Sequence, residues 1–172
     1  MPSLEIRPLT ALDAAAYWPL RLEALESEPD SFGESAEEHR RTSVESAAQR
    51  LAGDPEDNFV LGTFLDGELV GMAGFYRMQG LKVRHRGRIW GVYVRAQHRR
   101  KGLGRALLWA LLERIRACPG VEQVSLTVMA GQDAARALYR SLGFESYGIE
   151  PRGLKVGGRY LDNEHMLLRL QD

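Results

Sequence analysis

The residues best suited to chemistry stand between a strand-like run and a helix-like one. Ile89-Trp90-Gly91-Val92-Tyr93-Val94 is β-branched and aromatic, and it leads through Arg95-Ala96-Gln97-His98 into Arg99-Arg100-Lys101-Gly102-Leu103-Gly104-Arg105. From Gly102 the apolar period changes: Leu103, Ala106, Leu107, Ala110 and Leu111 recur at the spacing of one helix face. A helix that starts at a basic turn offers an anion its free backbone N–H groups and the positive end of its dipole. Gly102 and Gly104 let that anion approach the main chain. Phosphate binding is the chemistry expected here. No Lys-Ser or Lys-Thr follows the second glycine, as a P-loop requires, and the three-glycine dinucleotide fingerprint is missing, which weakens kinase-type and hydride-transfer readings.

The charge pattern agrees. The 172 residues carry 23 Lys plus Arg against 23 Asp plus Glu, a formal net charge of zero, yet the signs are segregated. No acid occurs from Leu69 to Leu112, where Arg77, Lys82, Arg84, Arg86, Arg88, Arg95, Arg99, Arg100, Lys101 and Arg105 are all basic. The balance reverses from Glu23 to Asp57, a segment suited to a cationic substrate or to a solvated surface.

Other reactive side chains lack the neighbours that chemistry requires. His39, His85, His98 and His165 show no ligand spacing, so no metal site is expected and they read as surface or hydrogen-bonded structural residues. Cys118 has no histidine near it in sequence, excludes an intramolecular disulfide and fits a reducing compartment. No Gly-x-Ser-x-Gly elbow occurs. Met1 to Thr10 has neither a basic lead nor an apolar run, and no stretch is apolar enough to span a membrane, so a cytoplasmic location is expected.

These residues must be positioned by a compact chain. Its 44% hydrophobic and 27% charged content suits one domain over residues 1–172, large enough to hold a core without disulfides or metal. Leu4 to Leu9 reads as a strand and Ala11 to Glu26 as a helix that Pro19 would kink or split. A second helix is expected from about Glu34 to Ala52, ending at Gly53-Asp54-Pro55. Phe59 to Leu65 and Glu68 to Tyr76 flank the hairpin signal Asp66-Gly67, and Arg88 to Arg95 makes a further strand. After the helix from Gly102, stopped by Pro119-Gly120, come a strand over Val121 to Val128 and a short helix over Asp133 to Leu142. Two last strands pair across Gly157-Gly158. The order is a mixed α/β pattern.

The loop Arg99-Arg100-Lys101-Gly102-Leu103-Gly104 resembles the cofactor loop of the GNAT superfamily of acyl-CoA-dependent N-acetyltransferases: Gln or Arg, two residues, Gly, one residue, Gly or Ala. A second segment, Ala137-Leu138-Tyr139-Arg140-Ser141-Leu142-Gly143-Phe144, is similar to that family's Ala-Leu-Tyr, three residues, Gly-Phe. The resemblance covers the element order from Leu4 to Leu170. The tail from Glu150-Pro151-Arg152 to Asp162 and Met166 is similar to a bacterial subset of the family. It implies an α+β fold with a mixed, mostly antiparallel sheet of about seven strands flanked by about four helices.

By resemblance, acetyl-CoA is the co-substrate and no metal takes part. The backbone of Val92, Tyr93 and Val94 would pair with the pantetheine arm and the acetyl carbonyl. The loop from Arg99 to Arg105, including Lys101 and Leu103, would cradle the pyrophosphate. Tyr139 would protonate the departing thiolate, a transfer of modest cost from a phenol of pKa about 10 to a thiolate whose acid lies at about 8.5. Gln132 stands where the family usually has Asn.

The proton acceptor for the attacking amine is not fixed by the motifs. Many relatives place a carboxylate on the strand equivalent to Ile89 to Val94, and this chain has none there. Glu34, Glu37 and Glu38, spaced to share one face of the second helix, are candidates, with Glu34 and Glu38 placed in the catalytic set; a water chain would serve as well. The expected partner is a small-molecule or peptide amine, and a homodimer through the C-terminal strands is compatible with the fold. Two other classes stay open: an acyl-CoA-binding sensor without catalysis, and a nucleic-acid-binding module using the basic segment with Tyr76, Trp90 and Tyr93 as stacking surfaces. The near-neutral isoelectric point, about 6.9, disfavours the latter.

Overall fold

The computed structural model describes residues 1–170. Strands β1 (Leu4–Pro8), β2 (Asn58–Leu65), β3 (Glu68–Arg77), β4 (Arg86–Val94), β5 (Gln123–Met129), β6 (Glu145–Val156) and β7 (Arg159–Arg169) form one sheet in the order β1-β2-β3-β4-β5-β7-β6. Every neighbouring pair is antiparallel except β4 and β5. The expected hairpin turns at Asp66-Gly67, both at positive φ (48° and 83°), as a two-residue turn between right-twisting strands requires. The parallel pair follows from the strand–helix–strand order, because a crossover helix returns the chain to the same end of the sheet.

Helices α1 (Ala14–Ser27), α2 (Ala36–Arg40) and α3 (Val44–Leu51) pack on one face, and α4 (Leu103–Arg116) and α5 (Asp133–Ser141) on the other. The α4 side buries Leu107, Leu108, Leu111, Leu112 and Ile115 against Phe75, Ile89, Val124, Leu126 and Met166. The opposite layer joins Tyr17, Leu20 and Leu25 to Val60, Met72 and Tyr93. It includes no buried apolar residue of β5, β6 or β7; on the sheet face that carries Thr127 and His165, both half-buried, it is the turn Pro29–Ser31 after α1 that reaches β5.

Three expectations are corrected. The single helix over Glu34–Ala52 is two, interrupted at Arg41-Thr42-Ser43, so the described residues hold five helices. The break is chemical: Ser43 is extended (φ −122°, ψ 162°) and caps α3 through Ser46, while the Thr42 hydroxyl turns back to the His39 carbonyl (2.6 Å). Glu34 consequently precedes α2, whose N-cap is Ser35, and does not share a helical face with Glu37 and Glu38. The first helix begins at Ala14, after a short turn in which Thr10 and Asp13 cap each other, and it runs through Pro19 as one element.

Candidate active site

Strands β4 and β5 pair over three residues only, Arg86–Arg88 with Gln123–Ser125. Beyond them the strands part, and the β4 edge from Ile89 to Val94 faces a gap instead of a neighbour. A bulge sharpens the parting: Met72 and Gly74 of β3 oppose Tyr93 and Trp90, so β4 carries one residue too many, taken up at Gly91 (φ 64°). The bulge also resets the side chains. Val92 packs with the α4 side, whereas Tyr93 turns to α1 and its hydroxyl donates to Glu23 (3.0 Å). Tyr93 therefore offers the gap its backbone.

The loop after β4 holds two left-handed residues, Arg100 (φ 61°) and Gly102 (φ 79°). Gly102 is the N-cap of α4 and supplies no side chain, and the first bond into the helix runs from the Ala106 N–H to the Gly102 carbonyl (3.0 Å). The N–H groups of Leu103, Gly104 and Arg105 lie in the turn before it, at the positive end of the helix, the arrangement that holds an anion. A Cβ on Gly104 would lie 3.7 Å from Leu138 Cδ2, an ordinary contact, so packing within the protein does not demand glycine there. The basic side chains are not all turned outward. Arg99 Nε donates to the Val94 carbonyl (2.8 Å), and Arg105 bonds the Ser141 hydroxyl (2.7 Å).

The gap and the loop open into one cleft of about 560 Å³. Val92, Tyr93, Val94, Arg99, Arg100, Gly102, Leu103, Gly104, Arg105, Gln132 and Tyr139 all line it; Lys101 stands exposed beside it. Gln132 immediately precedes α5, and its amide bonds no described residue. Tyr139 is buried edge-on against Phe144 (5.9 Å), and burial pushes its phenol well above the ordinary value. The same dry surroundings raise the pKa of any thiol beside it, so donor and acceptor shift together.

Glu34 and Glu38 lie elsewhere. Arg21 grips the Glu34 carboxylate through Nε (3.2 Å) and a terminal nitrogen (2.9 Å) at the wall of a second cleft, about 460 Å³, between the start of α2 and the β6–β7 turn. Glu38 is exposed and caps α2, accepting the Ser35 N–H (2.9 Å), a bond that lowers its pKa. The sequence reading missed Glu28 and Ser31, from the turn after α1, and Thr127, Val128 and Met129 on β5. The β5 residues could have been found from the strand–helix–strand order, which sets the C-terminal ends of β4 and β5 side by side. Among the described residues no His/Cys/Asp/Glu group could hold a metal, and no helix is long and apolar enough to cross a membrane.

This architecture has known counterparts. Residues 20–144 match the acetyltransferase (GNAT) family, and the chain belongs to that family. It is 36% identical over 113 residues to the N-alpha-acetyltransferase RimI of Mycobacterium tuberculosis, covering 66% of this chain and 68% of that protein. It is 44% identical over 79 residues to the L-methionine sulfoximine/L-methionine sulfone acetyltransferase of Pseudomonas aeruginosa, 46% of this chain and 45% of that one. The chain thus spans about half the length of that curated relative. Among solved structures it resembles yncA, a putative acetyltransferase from Salmonella typhimurium with its cofactor acetyl-CoA, at TM-score 0.86 and 26% identity over 99% of this chain and 95% of that one.

Proposed function

We propose that the protein transfers the acetyl group of acetyl-CoA to a primary amine by direct attack in a ternary complex, with no covalent enzyme intermediate. The observation that carries this reading is the convergence in one cleft of an unpaired β4 edge, the free helix start at Gly102–Arg105 and the buried Tyr139 hydroxyl. Acetyl-CoA supplies an acetyl group activated as a thioester. The backbone of Val92, Tyr93 and Val94 binds it as an added strand would and polarises the carbonyl; the loop from Arg99 to Arg105 receives the pyrophosphate; Gln132 offers a free amide. Tyr139 gives its proton to the departing sulfur. The relatives are named for N-alpha groups and for L-methionine derivatives, which supports an α-amine of an amino acid or peptide as acceptor.

The test is calorimetric titration with acetyl-CoA, with ATP and a DNA duplex as controls. An amine panel of L-methionine sulfoximine, L-methionine sulfone, spermidine and an alanyl peptide, read by free thiol, would follow. Saturable one-to-one binding of acetyl-CoA alone and thiol release with one amine class are expected. Absence of acetyl-CoA binding, or tighter DNA binding, would overturn the reading.

A further inference from the structure

A hydrogen-bonded row crosses the face of the sheet opposite α4 and α5, from β4 to β6. Arg88 donates to Thr127 Oγ1 (2.8 Å); Thr127 Oγ1 meets His165 Nδ1 (3.2 Å); and His165 Nε2 meets Glu150 Oε2 (3.2 Å). The bonding roles follow from valence. An ionised carboxylate only accepts, so His165 Nε2 carries the hydrogen, and in the neutral ring Nδ1 is then an acceptor. Thr127 must supply its one hydroxyl hydrogen to Nδ1. Of its two lone pairs, one takes the Arg88 hydrogen and the other is left over. Thr127 lines the cleft, two residues beyond the last β4–β5 pair at Ser125, so that spare lone pair sits where the strands have parted.

From this geometry we infer that Glu150, His165 and Thr127 form the proton-accepting relay for the amine, an inference that rests on the transferase reading above. The ammonium of the acceptor donates to Thr127 Oγ1 as the Thr127 hydrogen moves to His165 Nδ1. The N–H electron pair stays on nitrogen and forms the C–N bond, the C–S bond breaks, and the sulfur takes the Tyr139 proton, which the newly formed amide nitrogen returns. The imidazolium is left beside the Glu150 carboxylate and releases its proton to water, since the His165 side chain is 25% exposed. Arg88 disfavours the ammonium and the imidazolium alike, so its part in the row is to hold Thr127 Oγ1 with the hydroxyl hydrogen turned to His165. The groups facing the imidazole are Arg88 from β4 through Thr127 on β5, and Tyr147 and Glu150 from β6, with the Tyr147 ring stacked on it at 5.8 Å. Glu34 is held by Arg21 and Glu38 by its capping role, so neither is placed for this work. Thr127 is the catalytic residue of the row; His165 and Glu150 are positioning residues that act through it.

The test compares His165→Gln, Thr127→Val and Thr127→Ser with the wild type, using the fastest amine of the panel from pH 6 to about pH 10. The first two variants should lose about 100-fold in kcat at neutral pH, with acetyl-CoA affinity unchanged. That deficit should shrink as pH approaches the pKa of the amine, where free base no longer has to be made, and Thr127→Ser should retain most activity. Wild-type rates in His165→Gln and Thr127→Val, or a loss in them that stays constant across pH, would overturn the relay. Nitrogen-15 NMR of the free protein gives a reading independent of turnover: His165 should be the Nε2–H tautomer, and an Nδ1–H tautomer would overturn the relay. A wild type that neither binds acetyl-CoA nor releases thiol would instead overturn the transferase reading itself.

Discussion

Arg99 is paired with Glu28 at 2.7 Å across the mouth of the cleft, while its guanidinium lies over the Tyr93 ring, 5.4 Å from the centroid. The family motif gives Arg99 to the pyrophosphate, but this pair turns it toward the turn after α1 and places one negative charge where an anion enters. Glu28→Gln removes that charge and frees Arg99. Half-exposed ion pairs are worth little, so acetyl-CoA affinity should rise only about 2- to 5-fold. The gain should fade with added salt. Calorimetry at two ionic strengths checks this, and a weaker affinity would show that Glu28 holds the loop in its binding shape.

Two glycines of the loop should fail for different reasons. Gly102 adopts φ 79°, so Gly102→Ala should destabilise the fold by about 1 kcal/mol, seen in urea unfolding, before any ligand is added. Gly104→Ala should fold normally, since its Cβ meets Leu138 at contact distance, whereas Gly104→Trp should fold and lose acetyl-CoA binding by filling the cleft. Binding retained by the tryptophan variant would place the ligand elsewhere.

Tyr139→Phe should lower kcat by about 100-fold or more with little change in acetyl-CoA affinity. Because burial raises the phenol above its ordinary value of about 10, the hydroxyl stays protonated across the working range, and no alkaline fall in rate below that pH should trace to Tyr139. For stability the sign is the same. The contribution of the neutral phenol is present below the unfolded value and is lost as pH rises beyond it.

Glu164 of β7 grips α5 through Arg136, and through Arg140 at 3.6 Å, and these bonds hold its carboxyl below the usual range. A lowered carboxyl stabilises the fold above the unfolded pKa of about 4.3 and ceases to do so as pH falls through the folded value. Glu164→Gln should cost about 1–2 kcal/mol at neutral pH and nothing extra in acid. Urea titrations at pH 7 and pH 3 test this. An equal deficit at both would assign the loss to packing.

Much of the glycine-bearing loop after β4 was legible because its signals are local. The period change at Gly102, the glycine positions and the basic run all lie within a few residues, and the hairpin at Asp66-Gly67 is equally self-contained. The break at Thr42–Ser43 was not legible, because Ser43 and Ser46 can sit inside a polar helix as readily as they cap one, and the bond that accompanies the break, from Trp18 Nε1 on α1 to the Thr42 hydroxyl (2.9 Å), joins residues far apart in sequence. His165 could not be distinguished from a structural histidine, because Thr127 and Glu150 reach it only through the antiparallel pairings of β7 with β5 and β6.

The three-residue seam between β4 and β5 leaves two half-sheets, β1–β4 and β5–β7, stitched together at one end and open at the other. Backbone amides along the open lips exchange with water until something lies between them. A ligand that bonds there as a strand completes the sheet, so the folded chain should be hardest to pull apart or to digest when its cleft is filled. Resistance to unfolding then reports on the concentration of a small molecule outside the polypeptide.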